Sequence, residues 1–160
     1  MKEDGELMKW MYEGKEFTDD MVPEGAFGFI YGMSVTIDGK KKLYIGKKNF
    51  YSELNVPLGK KALAMREDKR MSKKRKVKKL NFQNYHSSQA DLKQAKIDGI
   101  PIKRVIIKIC YCKAELSYQE TRYLFKADAL EKDEYLNDNI LGKFYRSKIK
   151  CETNKSEEDE

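Results

Sequence analysis

The stretch AFGFIYGMSVTIDGKKKLYIGKKNF, residues 26–50, constrains the fold more than any other part of the chain. Two runs rich in β-branched and aromatic residues flank Asp38-Gly39, a dipeptide that tolerates the positive φ angles of a tight two-residue turn. A β-hairpin is therefore predicted, with GFIY and LYIGKK on adjacent strands. The second strand closes on Tyr44, Gly46 and the adjacent cations Lys47 and Lys48. A glycine there, lacking Cβ, lets the chain come close to a phosphate.

The rest of the chain reads as alternating helices and strands. LGKKALAMREDKRMSKKRKVKKL follows Pro57 with good helix formers and spaces Leu58, Ala62 and Met65 at helical intervals, which predicts a basic helix fraying into a basic loop. Ser87 and Ser88 supply N-cap oxygens for a helix through Ala90, Leu92 and Ala95 that stops at Gly99. After Pro101, the β-branched run IKRVIIKICYC predicts a central strand. KAELSYQETRYLFKADALEKD is a helix whose Leu116, Tyr123, Leu124, Ala127 and Leu130 form one apolar stripe, and Glu120 sits on that stripe. A carboxylate in that position calls for a function or a partner.

Residues 1–25 are weakly amphipathic around Met8, Trp10, Met11, Tyr12 and Phe17 and read as an extension laid against the domain. The domain spans 26–150 with a basic insertion at about 51–80, and 151–160 is an acidic tail of disordered composition. The expected fold class is α+β: a small, mostly antiparallel three-stranded sheet with an N-terminal β-hairpin, flanked by helices.

With 160 residues, 40% of them hydrophobic, the chain has enough apolar material for one modest core. No apolar run nears the ~18 residues needed to cross a bilayer, and the N-terminus lacks a signal-peptide core, so a cytoplasmic protein with no membrane partner is expected. Cys110, Cys112 and Cys151 are odd in number, with His86 the lone histidine. Cys110 and Cys112 read as small buried hydrophobes in a reducing compartment. The net charge of +7 hides an asymmetry, since sixteen of the 33 Lys/Arg fall between Lys40 and Lys79 against Glu53, Glu67 and Asp68. A polyanion partner is the leading expectation, and a solvated basic loop the alternative.

Taken in order, FIY at 29–31, YIG at 44–46, YHSSQADLKQAKIDG, ELSYQETRYLF and YLNDNI resemble the GIY-YIG nuclease domain of homing and repair endonucleases. The resemblance covers roughly 27–141, and YIGKK and ILGKF are similar to segments of small free-standing phage members. It implies a metal-dependent DNA endonuclease. Phosphodiester hydrolysis needs a water, a base, positive charge on the phosphorane and help for the leaving oxygen. By resemblance, one of Tyr31 and Tyr44 activates the water while the other supports the site. A phenol with a pKa near ~10 needs neighbouring positive charge for that task, and Lys47 and Lys48 are placed to supply it. Glu120 becomes the single carboxylate that holds Mg2+ (or Mn2+), and Asn137, with Asn139 as an alternative, the late asparagine of the family.

The resemblance also implies an arginine on the first helix, but FYSELNVPLG contains none. Arg70 is the expected counterpart and Arg66 the alternative, and the helical His or Tyr that follows in the family has no match in Met71, Ser72, Lys73 and Lys74. Lys47, Lys48, Lys69, Lys73, Lys74 and Arg75 are expected to contact nucleic acid, with His86 and Ser87 as phosphate contacts at the serine cap. Other readings stay open. Glu120 could pair with Arg104 or Arg122, and the tyrosines could simply pack. A degenerate domain could bind nucleic acid without cutting, or the segment MKWMYEGKEF could engage a host protein.

Overall fold

The computed structural model describes residues 7–70 and 73–149. The hairpin forms as expected: β3 (Gly28–Ile37) and β4 (Lys40–Asn49) pair antiparallel from Gly28↔Asn49 to Ile37↔Lys40. Asp38 and Gly39 take φ of 51° and 77°, the left-handed pair that matches the twist of the flanking strands. β7 (Ile102–Cys110) lies antiparallel on the other side of β3.

The sheet is larger than the three strands expected. Its order is β2-β1-β7-β3-β4, with β1 (Leu7–Tyr12) parallel to β7 and β2 (Lys15–Glu16) antiparallel to β1, so it is five-stranded and mixed. Without β1, the apolar strand β7 would present a row of unpaired backbone groups to solvent. LMKWMY satisfies that edge and buries Trp10, whose Nε1 donates to the Phe82 carbonyl at 2.8 Å. Residues read from sequence as an extension therefore lie within the main sheet.

The basic region also departs from expectation. Only α1 (Lys60–Met65) is helical, and its flanks, β5 (Tyr51–Pro57) and β6 (Lys73–Lys79), pair antiparallel as a separate two-stranded sheet. On a helix, KKRKVKK would stack like charges three and four residues apart, which is destabilising, whereas an extended strand spreads them.

α2 (Ala90–Ile97) is capped by Gln89, whose side chain accepts from the Leu92 N–H at 3.0 Å, in place of the serines expected. α3 (Lys113–Lys126) is capped by the Cys112 thiol, which accepts from the Glu115 N–H at 3.4 Å. Cys110 is buried but Cys112 is exposed, so only one of the two is a core hydrophobe, and Cys151 lies outside the described residues with the acidic tail. Strand alternation sends Phe29 and Tyr31 into an aromatic cluster with Trp10, Phe50 and Phe82, and Ile30 into a second core with Leu116 and Leu124 of α3. The chain continues through β8 (Asn139–Ile140), β9 (Phe144–Tyr145) and α4 (Arg146–Ile149). No helix among the described residues is long and apolar enough to cross a membrane.

Candidate active site

The hairpin register sets the two tyrosines side by side. Tyr31 lies opposite Gly46, and Tyr44, two positions from Gly46 on β4, lies opposite Met33. Both phenols thus leave the same face of the sheet, with ring centroids 6.3 Å apart. A Cβ at Gly46 would meet the Tyr31 phenol oxygen and lie 2.6 Å from its Cζ. The glycine of YIG makes room for the tyrosine of FIY.

The phenols differ in environment. Tyr31 is buried, and its hydroxyl shares a 3.1 Å hydrogen bond with that of Tyr85. Burial, reinforced by Tyr85, pushes its pKa far above the ordinary tyrosine value. Tyr44 is half-buried. Its pKa is raised chiefly by burial and held back by a hydrogen bond from Ser87, while the nearby Tyr85 phenol and the Glu120 and Asp138 carboxylates add to the rise. Ser87, 5% exposed, sits at φ 70° and accepts from the Gln89 N–H at 3.2 Å. That left-handed conformation costs a serine about 1–3 kcal/mol.

Arg104 holds the loop that carries Tyr85 and Ser87. It is buried in β7, its Nη1 donates to the Gln83 and Tyr85 carbonyls at 2.7 and 2.9 Å, and its Nε donates to the Met8 carbonyl at 2.7 Å. The guanidinium also lies 4.7 Å over Trp10, and burial lowers its pKa to about 10, which leaves it charged at neutral pH.

Glu120 is half-buried on α3, its pKa raised by burial and pulled back by Lys47. Among the described residues it accepts no hydrogen bond and forms no ion pair. Arg104 is committed to carbonyls, and Arg122 donates to Gln119 at 3.4 Å and lies over Tyr123. The salt bridges that would have explained Glu120 are therefore not formed. Lys47 Nζ donates to Ser117 Oγ at 3.2 Å, one turn before Glu120. Lys48 Nζ lies 4.6 Å over the Tyr85 ring, and burial lowers its pKa.

Asn137 is buried and clamps β4. Its Oδ1 accepts from the Ile45 N–H at 3.1 Å and its Nδ2 donates to the Ile45 carbonyl at 2.8 Å. The Leu43 N–H donates to Glu134 and the Leu136 N–H to Leu43, both at 2.7 Å, so residues 134–137 cover the outer edge of β4. Arg146 secures that segment by donating to the carbonyls of Ala129, Lys132, Tyr135 and Asn137. Asn139 instead pairs with Tyr145 and accepts from the Gly142 N–H at 3.3 Å.

The other expected residues lie elsewhere. The Arg70 side chain is 94% exposed and pairs with Asp68 at 3.5 Å; no contact links it to Tyr31, Tyr44 or Glu120. Arg66 is half-buried at the C-terminal end of α1. Lys69 and Lys73 are exposed, and Lys74 and Arg75 belong to β6. His86 lines a cavity with Lys93, Lys96 and Ile97, and burial lowers its pKa. Sequence reasoning missed Tyr85 and Arg146, and read Arg104 only as a candidate partner of Glu120. Arg104 left a signal, an arginine inside an apolar strand; Arg146 left none.

A hairpin bearing two adjacent phenols, a helix bearing a half-buried carboxylate with no hydrogen bond or ion pair among the described residues, and an asparagine locked to the tyrosine strand define an α+β domain of GIY-YIG type. The chain matches the family model described as "Putative endonuclease segE, GIY-YIG domain" over residues 10–140, and it belongs to that family. No curated protein and no solved structure gives a significant match.

Proposed function

We propose that this protein is a metal-dependent DNA endonuclease, encoded by a phage and acting in the host cytoplasm, in which Tyr44 works on the attacking water. The observation that supports this best is Glu120: a half-buried carboxylate with no hydrogen bond or ion pair among the described residues, whose charge is felt at Tyr44. A carboxylate with open oxygens suits Mg2+, which takes one or two protein carboxylates and keeps waters and phosphate oxygens in its remaining positions. Among the described residues no three His, Cys, Asp or Glu side chains group to hold an ion, so Glu120 would be its protein ligand. Bound there, Mg2+ or Mn2+ would supply positive charge to the phosphate and the leaving oxygen.

The protein's own groups divide the remaining work. Once its phenol has lost a proton to solvent, Tyr44 orients the attacking water and takes a proton from it, returning to the phenol, and Ser87 donates to the phenolate before that transfer. Because burial and two carboxylates keep that phenol protonated at neutral pH, it becomes a base only when positive charge enters the site. Tyr31, tied to Tyr85, supports the face and exchanges no proton. Lys48 faces the phosphate beside Tyr85, Lys47 favours ionised Glu120, and Asn137 fixes β4 between Tyr44 and Gly46. Nicking of supercoiled plasmid with Mg2+ or Mn2+ tests this reading, and normal cutting by both Tyr44→Phe and Glu120→Ala overturns it.

A second reading is favoured by Arg70, which makes no contact with the tyrosines or Glu120. Without the expected arginine the domain binds nucleic acid and does not cut. Retardation of DNA with no product across divalent metals establishes it.

A further inference from the structure

The hairpin of β5 and β6 pairs only with itself, and it grows directly out of the tyrosine strand, since β5 begins two residues after Asn49 ends β4. Its base is fixed. Phe50 is buried against Phe29 and Phe82 with ring centroids 5.0 and 5.2 Å away, its N–H donates to the Phe27 carbonyl, and the Leu80 N–H donates to the Phe50 carbonyl, each at 2.9 Å. Beyond that base Lys73, Val77, Lys78 and Lys79 are all exposed, Val77 to 58%. β6 reads KKRKVKK, six cations in seven residues, and the register sets Asn55 across from Arg75 and Ser52 across from Lys78.

We infer that this ribbon is a groove-binding arm that lies in the major groove of duplex DNA on one side of the cleavage site; the inference rests on the nuclease reading for the place of that site. Two strands about 4.8 Å apart with their side chains fit a B-form major groove about 12 Å wide. Seven residues at about 3.3 Å each span about 23 Å, roughly seven base pairs. The cations of β6 supply the charge that meets phosphates, and the register sets an arginine across from an asparagine at one position of the ribbon, the residue types that pair with guanine and adenine in that groove. An A-form RNA duplex, whose major groove is deep and narrow, does not admit the arm.

Glu120→Gln protein is titrated without metal against a short DNA duplex over a range of salt. Replacing Lys73, Lys74, Arg75, Lys76, Lys78 and Lys79 with glutamine is expected to flatten the dependence of log affinity on log salt by about 4 to 5, at about 0.9 for each of the five lysines lost as a phosphate contact. Dimethyl sulfate protection of guanine N7 over roughly seven base pairs on one side is expected with the unsubstituted ribbon and lost on substitution. Replacing residues 53–77 with an Asp-Gly turn is expected to abolish the N7 protection and to flatten the salt dependence as well. An unchanged salt slope, no N7 protection by the unsubstituted ribbon, or equal affinity for an RNA duplex overturns the inference. Because none of these measurements needs turnover, ribbon-dependent protection by a protein that never nicks refutes only the nuclease reading. Nicking without ribbon-dependent protection refutes only the arm.

Discussion

The tyrosine site and the basic ribbon lie next to each other in sequence and are built in opposite ways. Around Tyr31 and Tyr44 almost every position is over-determined: Gly46 yields space to a ring, Asn137 grips both polar groups of Ile45, and Arg104 and Arg146 each tie down a loop through several carbonyls. In the ribbon, strand pairing and a base of aromatic rings do the holding, while Lys73, Lys78 and Lys79 stand exposed. The difference teaches where precision is needed. A reacting water must be placed to within a fraction of an ångström, whereas contacts to phosphates tolerate movement and act through the number of charges.

If that contrast holds, the largest effects fall on chemistry at the site and leave affinity alone. Glu120→Ala is expected to lower plasmid nicking on the order of 1000-fold, the several kcal/mol a bound cation contributes, and Tyr44→Phe by about 100-fold or more, the scale of general-base catalysis. DNA affinity measured without metal stays within a factor of about two, because neither side chain is a cation that releases counterions. Loss of binding together with cutting would break the comparison.

Effects on stability should divide the same way. Asn137→Ala leaves the Ile45 N–H and carbonyl without their partner and is expected to lower unfolding free energy by about 3 kcal/mol in a urea titration. Gly46→Ala drives a methyl into Tyr31 and should cost about 1–3 kcal/mol. Glutamine at the exposed cations Lys73, Lys78 and Lys79 should change stability by less than about 0.5 kcal/mol. A ribbon substitution as damaging as Asn137→Ala would show that the ribbon belongs to the core after all.

The smallest expected effect is a shift in pH dependence. Burial raises the Glu120 pKa, so its proton is held to higher pH in the folded than in the unfolded chain. The protonated acid therefore favours folding at low pH, and that contribution is lost as pH rises through the folded value. Under the proposed mechanism cleavage uses the Glu120 carboxylate, so with metal below saturation its acid limb should lie above the ordinary carboxylate range. Lys47→Met removes the charge that opposes the rise and should move that limb to still higher pH in a profile of cleavage rate. A limb that stays put would mean that Lys47 does not tune the acid.

Much of the site was legible because its signals are local. Asp38-Gly39 prescribes the turn, the turn prescribes the register, and the register with strand alternation brings Tyr31 and Tyr44 to one face. Glu120 announced itself as a carboxylate on an apolar stripe, and in the fold it accepts no hydrogen bond and forms no ion pair among the described residues, with the Lys47 charge nearby. Arg70 was a matter of spacing alone, and the chain between the hairpin and α2 does not deliver it to the tyrosines.

By itself, then, the sequence determined the hairpin, its paired phenols, the helix with its acid and the basic character of the segment that follows. Only the tertiary structure decided that LMKWMY would complete the sheet beside β7, that the cations would ride on a ribbon, and that Tyr85, Arg104 and Arg146 would brace the site. The reason is physical. Turn chemistry and periodicity act between neighbours in the chain, whereas covering a strand edge and satisfying buried carbonyls depend on whichever distant segment arrives there once the core has closed.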